Sequence, residues 1–321
     1  FGMMSNRGLD AHLASGLLAE RESLAMYEEI TYFSEGLKIA AYLYPPKGWE
    51  KGDPPGPAII SLHGYSGMKD VYGLDVPRRL SEEGYFVLAP DHRGFGVSEG
   101  ERGRQRPLEQ AQDTYDAISY LETLEDVGSE RIGIYGTSFG GANAVWVAAF
   151  DERVKVVVTS VGVFEGERWM SSVRRPHEWV AFKERVREAA RKRVVSGEKS
   201  EVPLTEIMLS DPHTRSVIQA HHSKDHRFVS DYDLESAEAC WRYKPEWVAG
   251  RISPRPVMII YSENDMLVPV DQQLACFEAL GEPKKLVKLP GAQHYESYHF
   301  VRPDLHEIGM SEAVDWFKKY L

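Results

Sequence analysis

The sequence predicts an α/β fold in which helices flank a mostly parallel central sheet. Between residues 58 and 160, short apolar segments alternate with longer amphipathic segments, and this alternation is typical of parallel strands joined by helices. The pattern breaks between about residues 161 and 250, where the chain is charged, aromatic and helix-like, and strand signals resume afterwards. We therefore predict a sheet-and-helix core with an inserted helical cap.

The first predicted element is an N-terminal helical arm, residues 1–26. Within residues 8–26, Leu9, Leu13, Leu17 and Leu24 fall near one face of a helix. An isolated helix of this length is marginal in water, so its apolar stripe needs a surface to pack on. We predict that the arm takes part in a homodimer contact.

A hairpin and the alternating core elements follow the arm. The predicted elements are strands at 27–33 and 37–44, a strand at 58–62, a helix at 76–83, a strand at 86–90, a helix at 108–124, a strand at 131–135, a helix at 141–149 and a strand at 154–160. These define a first core part (27–160), the helical cap (161–250) and a second core part (251–321). Ligands of such folds bind at the carboxyl ends of the strands.

A Gly-Thr-Ser-Phe-Gly segment at residues 136–140 matches the G-x-S-x-G nucleophile elbow. An apolar strand signal precedes it and a helix rich in small residues follows, which is the context that this motif requires. The turn would project the Ser138 hydroxyl at a helix N-terminus, where partial positive charge favours an oxyanion. Ser138 is therefore the candidate nucleophile, and the alternative is an ordinary strand–helix turn.

A serine hydroxyl needs a base to take its proton and an acid to orient that base. Asp265, in the loop after the apolar segment 256–261, is the predicted acid, and Glu263 in the same loop is its rival. His294 follows a short strand near the C-terminus and is the predicted base. A turn-capping Asp265 and an exposed loop His294 are the alternatives, but the order Ser, acid, His favours the catalytic interpretation.

An oxyanion hole is predicted where the strand at 58–62 ends in His63-Gly64-Tyr65-Ser66-Gly67. A glycine-rich turn at a strand end exposes backbone N–H groups that can hold a developing negative charge. The predicted donors are the N–H groups of Phe139 and Tyr65, and the Tyr65 phenol is an alternative donor. We interpret His63 as a structural residue of this turn.

Together with the segment at residues 91–100, Asp-His-Arg-Gly-Phe-Gly-Val-Ser-Glu-Gly, these motifs resemble the α/β-hydrolases over roughly residues 30–160 and 250–321. Within that superfamily the chain resembles the dienelactone-hydrolase-like and FrsA-like esterases. Dienelactone hydrolases proper use a Cys nucleophile, whereas this chain has Ser138. The resemblance implies a serine hydrolase with a cap beside the site.

Composition limits the partners of this protein. The formal net charge of −11 argues against nucleic acid, because binding phosphates needs concentrated positive charge. No apolar run approaches the length of a membrane span, so we expect no membrane association. Cys240 and Cys276 are the only cysteines, which indicates a reducing compartment and predicts a cytoplasmic location.

The predicted cap contains aromatic residues that are candidates for substrate contacts. We single out Trp169 and Trp179, for which packing within the cap is the alternative. His221 and His222 do not predict a metal site, because consecutive helical residues point about 100° apart and no second ligand pair stands nearby. No metal and no cofactor is expected, since a triad and an oxyanion hole supply the proton transfer and charge stabilisation.

These features predict a serine hydrolase that cleaves a small or medium carboxylic ester through an acyl-enzyme. One alternative is cleavage of an amide or peptide bond, or of a carbon–carbon bond next to a carbonyl. A second alternative is a non-catalytic binding protein built on the same fold. In each case the expected partner is a small molecule.

Overall fold

An eight-stranded sheet forms the centre of the computed structural model, which describes residues 27–222 and 225–321. Its strands are β1 (Glu28–Ser34), β2 (Leu37–Tyr44), β3 (Gly56–Leu62), β4 (Phe86–Pro90), β5 (Val127–Thr137), β6 (Val154–Ser160), β9 (Val257–Ser262) and β10 (Lys284–Leu289). The spatial order is β1-β2-β4-β3-β5-β6-β9-β10. Strand β2 is antiparallel to both neighbours, and all other neighbouring pairs are parallel. The predicted mostly parallel sheet is confirmed.

Helices cover both faces of this sheet. The α-helices are α1 (Asp75–Glu82), α2 (Pro107–Glu122), α3 (Phe139–Phe150), α4 (Gly166–Ser172), α5 (Pro176–Ser196), α6 (Leu204–Ile207), α7 (Pro212–His222), α8 (Ser236–Trp241), α9 (Val270–Ala279) and α10 (Pro303–Tyr320). Short 3-10 helices span Pro245–Trp247, Ala249–Ile252 and His294–Ser297. In the part of the chain that the structure describes, each helix is too short or too polar to cross a lipid bilayer.

Alternate side chains of the central strands fill two separate cores. Ile60 and Val157 point into the core shared with α2, α3 and α9, whereas Ile59 and Val158 point into the core shared with α1 and α10. Because helices cover both faces of the sheet, strand β4 is buried at all five positions and appears in the sequence as a continuous apolar run. The elbow helix begins at Phe139, two residues earlier than the predicted start at 141.

The chain between β6 and β9 contains helices α4 to α8 and a separate antiparallel ribbon, β7 (Glu201–Pro203) with β8 (Asp231–Asp233). Aromatic side chains of this insertion, Trp169 and Tyr232 among them, share one cluster with Tyr65 and Phe139 of the core. The insertion therefore packs over the elbow, and the domain boundaries at 160 and 250 stay a prediction.

The predicted arm, residues 1–26, lies outside the described residues, as do the side chains of His221 and His222. The homodimer contact that we predict for the arm stays a prediction.

Candidate active site

The elbow at the end of β5 holds Ser138 in an unusual backbone conformation, with φ +54° and ψ −119°. Two glycines make this turn sterically accessible. A Cβ on Gly136 would lie 2.3 Å from the carbonyl oxygen of Gly140, and a Cβ on Gly140 would lie 2.3 Å from that of Leu62. Because real Cβ atoms do not approach so closely, these two positions require glycine.

Three predicted side chains meet at this turn. His294 Nε2 lies 3.1 Å from Ser138 Oγ, and His294 Nδ1 lies 2.7 Å from Asp265 Oδ2. The other carboxylate oxygen of Asp265 accepts hydrogen bonds from the backbone N–H groups of Leu267 at 2.9 Å and Val268 at 2.7 Å. These bonds fix the carboxylate in one orientation, with Oδ2 facing the imidazole.

Glu263, the rival acid, lies away from the imidazole. Its side chain is 43% exposed and pairs with Lys288 Nζ at 2.8 Å, and it also accepts the N–H of Gly291 at 2.9 Å. The Lys288 ammonium lowers the pKa of this carboxyl. The geometry therefore favours Asp265 over Glu263 as the partner of His294.

The turn after β3 lies directly against the elbow. A Cβ on Gly64 would lie 3.0 Å from the Cβ of Ser138, so the close approach of the two turns depends on glycine. The Tyr65 ring packs against the rings of Phe139 and Trp169, with centroids 5.5 and 5.7 Å away. The phenol is therefore directed into the insertion, and the role of the Tyr65 backbone N–H as an oxyanion donor stays a prediction. The N–H of Phe139 belongs to the first turn of α3, where backbone donors lack intrahelical partners.

The two candidate tryptophans have different surroundings. Trp169 lies against the elbow, since its ring centroid is 6.0 Å from that of Phe139. Trp179 packs against Phe182 and Trp241 inside the insertion, with ring centroids at 6.1 and 5.4 Å. The structure thus brings Trp169 to the site, whereas the ring contacts of Trp179 lie within the insertion.

His63 is held as a neutral imidazole within the turn that follows β3. Its Nδ1 lies 2.9 Å from the carbonyl oxygen of Gly64, so Nδ1 carries the proton, and Nε2 faces the backbone N–H of His92 at 3.4 Å. Burial disfavours the charged form and the neighbouring His92 repels it, so the pKa of His63 is lowered to about 4. A histidine that stays neutral and bonded to its own turn has the structural role that the sequence predicts.

We expect the free energy of unfolding to fall as the pH falls from 6.5 to about 4, the window between the ordinary and native pKa values of His63. In this window His63 is protonated in the unfolded chain and neutral in the native protein. The free energy of unfolding therefore falls by at most about 1.4 kcal/mol per pH unit as the pH is lowered. Urea unfolding across the window measures this slope. His63→Gln should flatten the slope, whereas the matched control His299→Gln, at a half-exposed histidine, should not. An unchanged slope in His63→Gln would contradict the assignment of this pH dependence to His63.

A buried ion pair that sequence reasoning missed ties the turn after β3 to the end of β4. Lys69 Nζ lies 2.7 Å from Asp91 Oδ2, and both side chains are almost fully buried. Asp91 also accepts the backbone N–H groups of Lys69 at 2.7 Å and Val97 at 3.0 Å. Lys69 lies four residues after Tyr65, so this pair anchors the turn that carries the Tyr65 N–H. No local sequence pattern indicated this pair, because its two partners lie on separate segments of the chain.

The fold and the arrangement around Ser138 define the class: this is an α/β-hydrolase. The chain belongs to the Hydrolase_4 family, described as serine aminopeptidase, S33, whose family model matches residues 53–296. The protein is therefore an enzyme of the hydrolase class. The finer resemblance to dienelactone-hydrolase-like and FrsA-like esterases stays a prediction.

Relatives agree with this class. The chain is 29% identical over 266 residues to an uncharacterised 31.7 kDa protein from the traX–finO intergenic region of Escherichia coli, covering 83% of this chain and 91% of that protein. It is 26% identical over 287 residues to thiohydrolase aneE of Aspergillus aculeatus, covering 84% and 86%. The crystal structure of the α/β hydrolase GrgF from a Penicillium species superposes with a TM-score of 0.77 at 25% identity, covering 92% of this chain and 98% of that one. GrgF also carries the name polyketide transferase.

Proposed function

We propose that this protein is a serine hydrolase that cleaves a carboxylic ester of a small or medium-sized molecule through an acyl-enzyme. The observation that carries the proposal is the continuous hydrogen-bonded series from Asp265 through His294 to Ser138, at 2.7 and 3.1 Å. Such a series at a strained elbow, beside backbone donors for an oxyanion, is the arrangement that activates a serine hydroxyl.

The proposed mechanism follows from the tautomer of His294. Because Nδ1 faces the Asp265 carboxylate, Nδ1 carries a proton and the Nε2 lone pair faces Ser138 Oγ. His294 takes the serine proton as Ser138 attacks the substrate carbonyl, and the N–H groups of Phe139 and Tyr65 hold the oxyanion. His294 then protonates the leaving alcohol. Water, activated by the same imidazole, releases the acid from Ser138.

Thioester cleavage and acyl transfer form a second candidate function. One relative carries the name thiohydrolase and another the name polyketide transferase. Both reactions pass through the same acyl-enzyme and differ in the bond cleaved or in the acceptor. Ser138 is only 8% exposed and His294 only 2%, so bulk water has little access to the nucleophile. Such shielding limits hydrolysis of the acyl-enzyme by bulk water, which is one condition that acyl transfer to a bound acceptor requires.

A matched panel of substrates tests both candidates. The ethyl ester, the N-acetylcysteamine thioester and the ethyl amide of one acyl chain are compared by kcat/KM, with and without an added alcohol acceptor. Mass spectrometry distinguishes the free acid from a transferred ester. We expect the oxygen ester to turn over faster than the amide, and a dominant transferred product would favour acyl transfer. A β-diketone with the same acyl group tests carbon–carbon cleavage.

The alternative of a non-catalytic binding protein is separated by covalent labelling. A serine-directed phosphonate should add its mass to the wild-type protein and not to Ser138→Ala. A folded wild-type protein that neither reacts with the phosphonate nor turns over any member of the panel would overturn the proposed hydrolase.

A further inference from the structure

Five aromatic rings lead from the protein surface to the imidazole of His294. They come from separate segments of the chain, and we call them the aromatic mouth: Tyr72, Phe228, Tyr295, Tyr298 and Phe300. The Tyr72 ring contacts all four others, with centroids 5.7 Å away for Tyr295, 6.0 Å for Phe228, 6.1 Å for Phe300 and 6.5 Å for Tyr298. Phe300 is 41% exposed, whereas Tyr295 and Tyr298 are 7% exposed. The mouth therefore spans from solvent to the interior.

The inner end of the aromatic mouth reaches the reacting groups. The ring centroids of Tyr295 and Tyr298 lie 5.3 and 6.4 Å from that of His294. A narrow cavity between Tyr72, Tyr298 and Gly64 has room for about one water molecule. Gly64 also lines this cavity, and a Cβ on Gly64 would lie 3.0 Å from the Cβ of Ser138. The cavity therefore lies between two rings of the aromatic mouth and two residues that flank the elbow, Gly64 and Thr137.

Proton transfer from His294 indicates which part of the substrate lies near the aromatic mouth. His294 delivers its proton to the leaving group, so the leaving group lies against the imidazole rather than against the backbone donors of the oxyanion hole. Tyr295 and Tyr298 are the rings against that imidazole. The aromatic mouth therefore borders the imidazole that protonates the leaving group.

We propose that the aromatic mouth is the leaving-group subsite and selects esters or thioesters whose leaving group carries a planar aromatic or conjugated ring. This inference rests on the proposed function. Because the cavity between Tyr72 and Tyr298 has room for about one water molecule, binding of a planar ring there requires the two rings to separate. Aromatic rings with centroids about 4.5–7 Å apart gain contact energy beyond the area that they bury, so a planar ring binds better here than a saturated ring of equal size.

Two acetate esters with nearly equal leaving-group reactivity test this selectivity. Benzyl acetate and cyclohexylmethyl acetate both release a primary alcohol, and only the first has a planar ring. We expect kcat/KM to favour benzyl acetate by roughly 3- to 10-fold. Tyr72→Leu and Tyr298→Leu should bring this ratio toward one, whereas Phe33→Leu, at an exposed ring on β1, should leave it unchanged. A wild-type ratio of one, or a ratio that survives in both tyrosine variants, would overturn the proposal.

A binding measurement separates this proposal from the proposed function. Fluorescence titration of Ser138→Ala with 2-naphthylmethanol reports occupancy of the subsite without any turnover. We expect the added Tyr72→Leu or Tyr298→Leu change to weaken binding by roughly 3- to 10-fold relative to Ser138→Ala alone. Equal affinity in all three proteins refutes the subsite even if esters are hydrolysed. Ring-dependent binding without turnover supports the subsite and counts against the hydrolase.

Discussion

Ser138→Ala is expected to leave a folded protein with kcat lowered by about four decades or more. The substitution removes the attacking oxygen, and catalysis by the remaining oxyanion donors and binding contacts is small by comparison. The fold should persist because alanine and serine both carry a Cβ and are strained to a similar degree at φ +54°. The substitution removes the side-chain hydrogen bond to His294 Nε2.

Initial rates on the preferred ester of the panel measure this loss, and thermal unfolding checks the fold. Ser262→Ala is a matched control, since Ser262 is also a buried serine at the carboxyl end of a strand. The control should retain near wild-type activity. A folded Ser138→Ala protein that keeps a tenth of the wild-type kcat would show that another group is the nucleophile.

The sequence predicted the class of the fold but not the neighbours of every strand. Alternating apolar and amphipathic segments identify parallel strands and their helices, because strands buried on both faces read as continuous apolar runs. The spatial order is not local information. Strand β4, for example, lies between β2 and β3, although it follows both in the sequence. Only long-range packing of α1 and of the two cores fixes that arrangement.

A residue of the candidate site could be predicted from the sequence where a single chemically suitable residue follows a predicted strand. Ser138 and His294 are of this kind, because each follows its own predicted strand. Asp265 and Glu263 lie two residues apart in one loop, and composition does not distinguish them. The folded backbone distinguishes the two carboxylates, because the N–H groups of Leu267 and Val268 hold the Asp265 carboxylate toward His294.

Features assembled from distant segments had no local pattern to reveal them. The Lys69–Asp91 pair joins the turn after β3 to the end of β4, which neither segment indicates alone. The aromatic mouth combines residues near positions 72, 228 and 295–300, so its rings are unrelated until the chain folds. Trp169 and Trp179 looked equivalent in the sequence, yet only Trp169 packs against Phe139.

Asp265→Asn is expected to keep the fold and to lower kcat by about four decades, because it imposes the wrong tautomer on His294. The backbone N–H groups of Leu267 and Val268 both point at the Oδ1 position, so the amide oxygen must occupy that position. The amide NH2 group then faces His294 Nδ1 and donates to it. With Nδ1 accepting, the imidazole proton moves to Nε2, which can no longer accept the Ser138 proton.

The pH dependence of kcat/KM, together with the rates, tests this argument for Asp265. If the tautomer is the cause, raising the pH should restore part of the activity through direct ionisation of the serine hydroxyl, while KM changes little. Glu263→Gln is the matched control: it removes a carboxylate from the same loop, but one that is 43% exposed and bonded to Lys288 instead of His294. We expect that variant to retain activity within about threefold, as surface ion pairs contribute little. A large loss in Glu263→Gln with activity preserved in Asp265→Asn would transfer the acid role to Glu263.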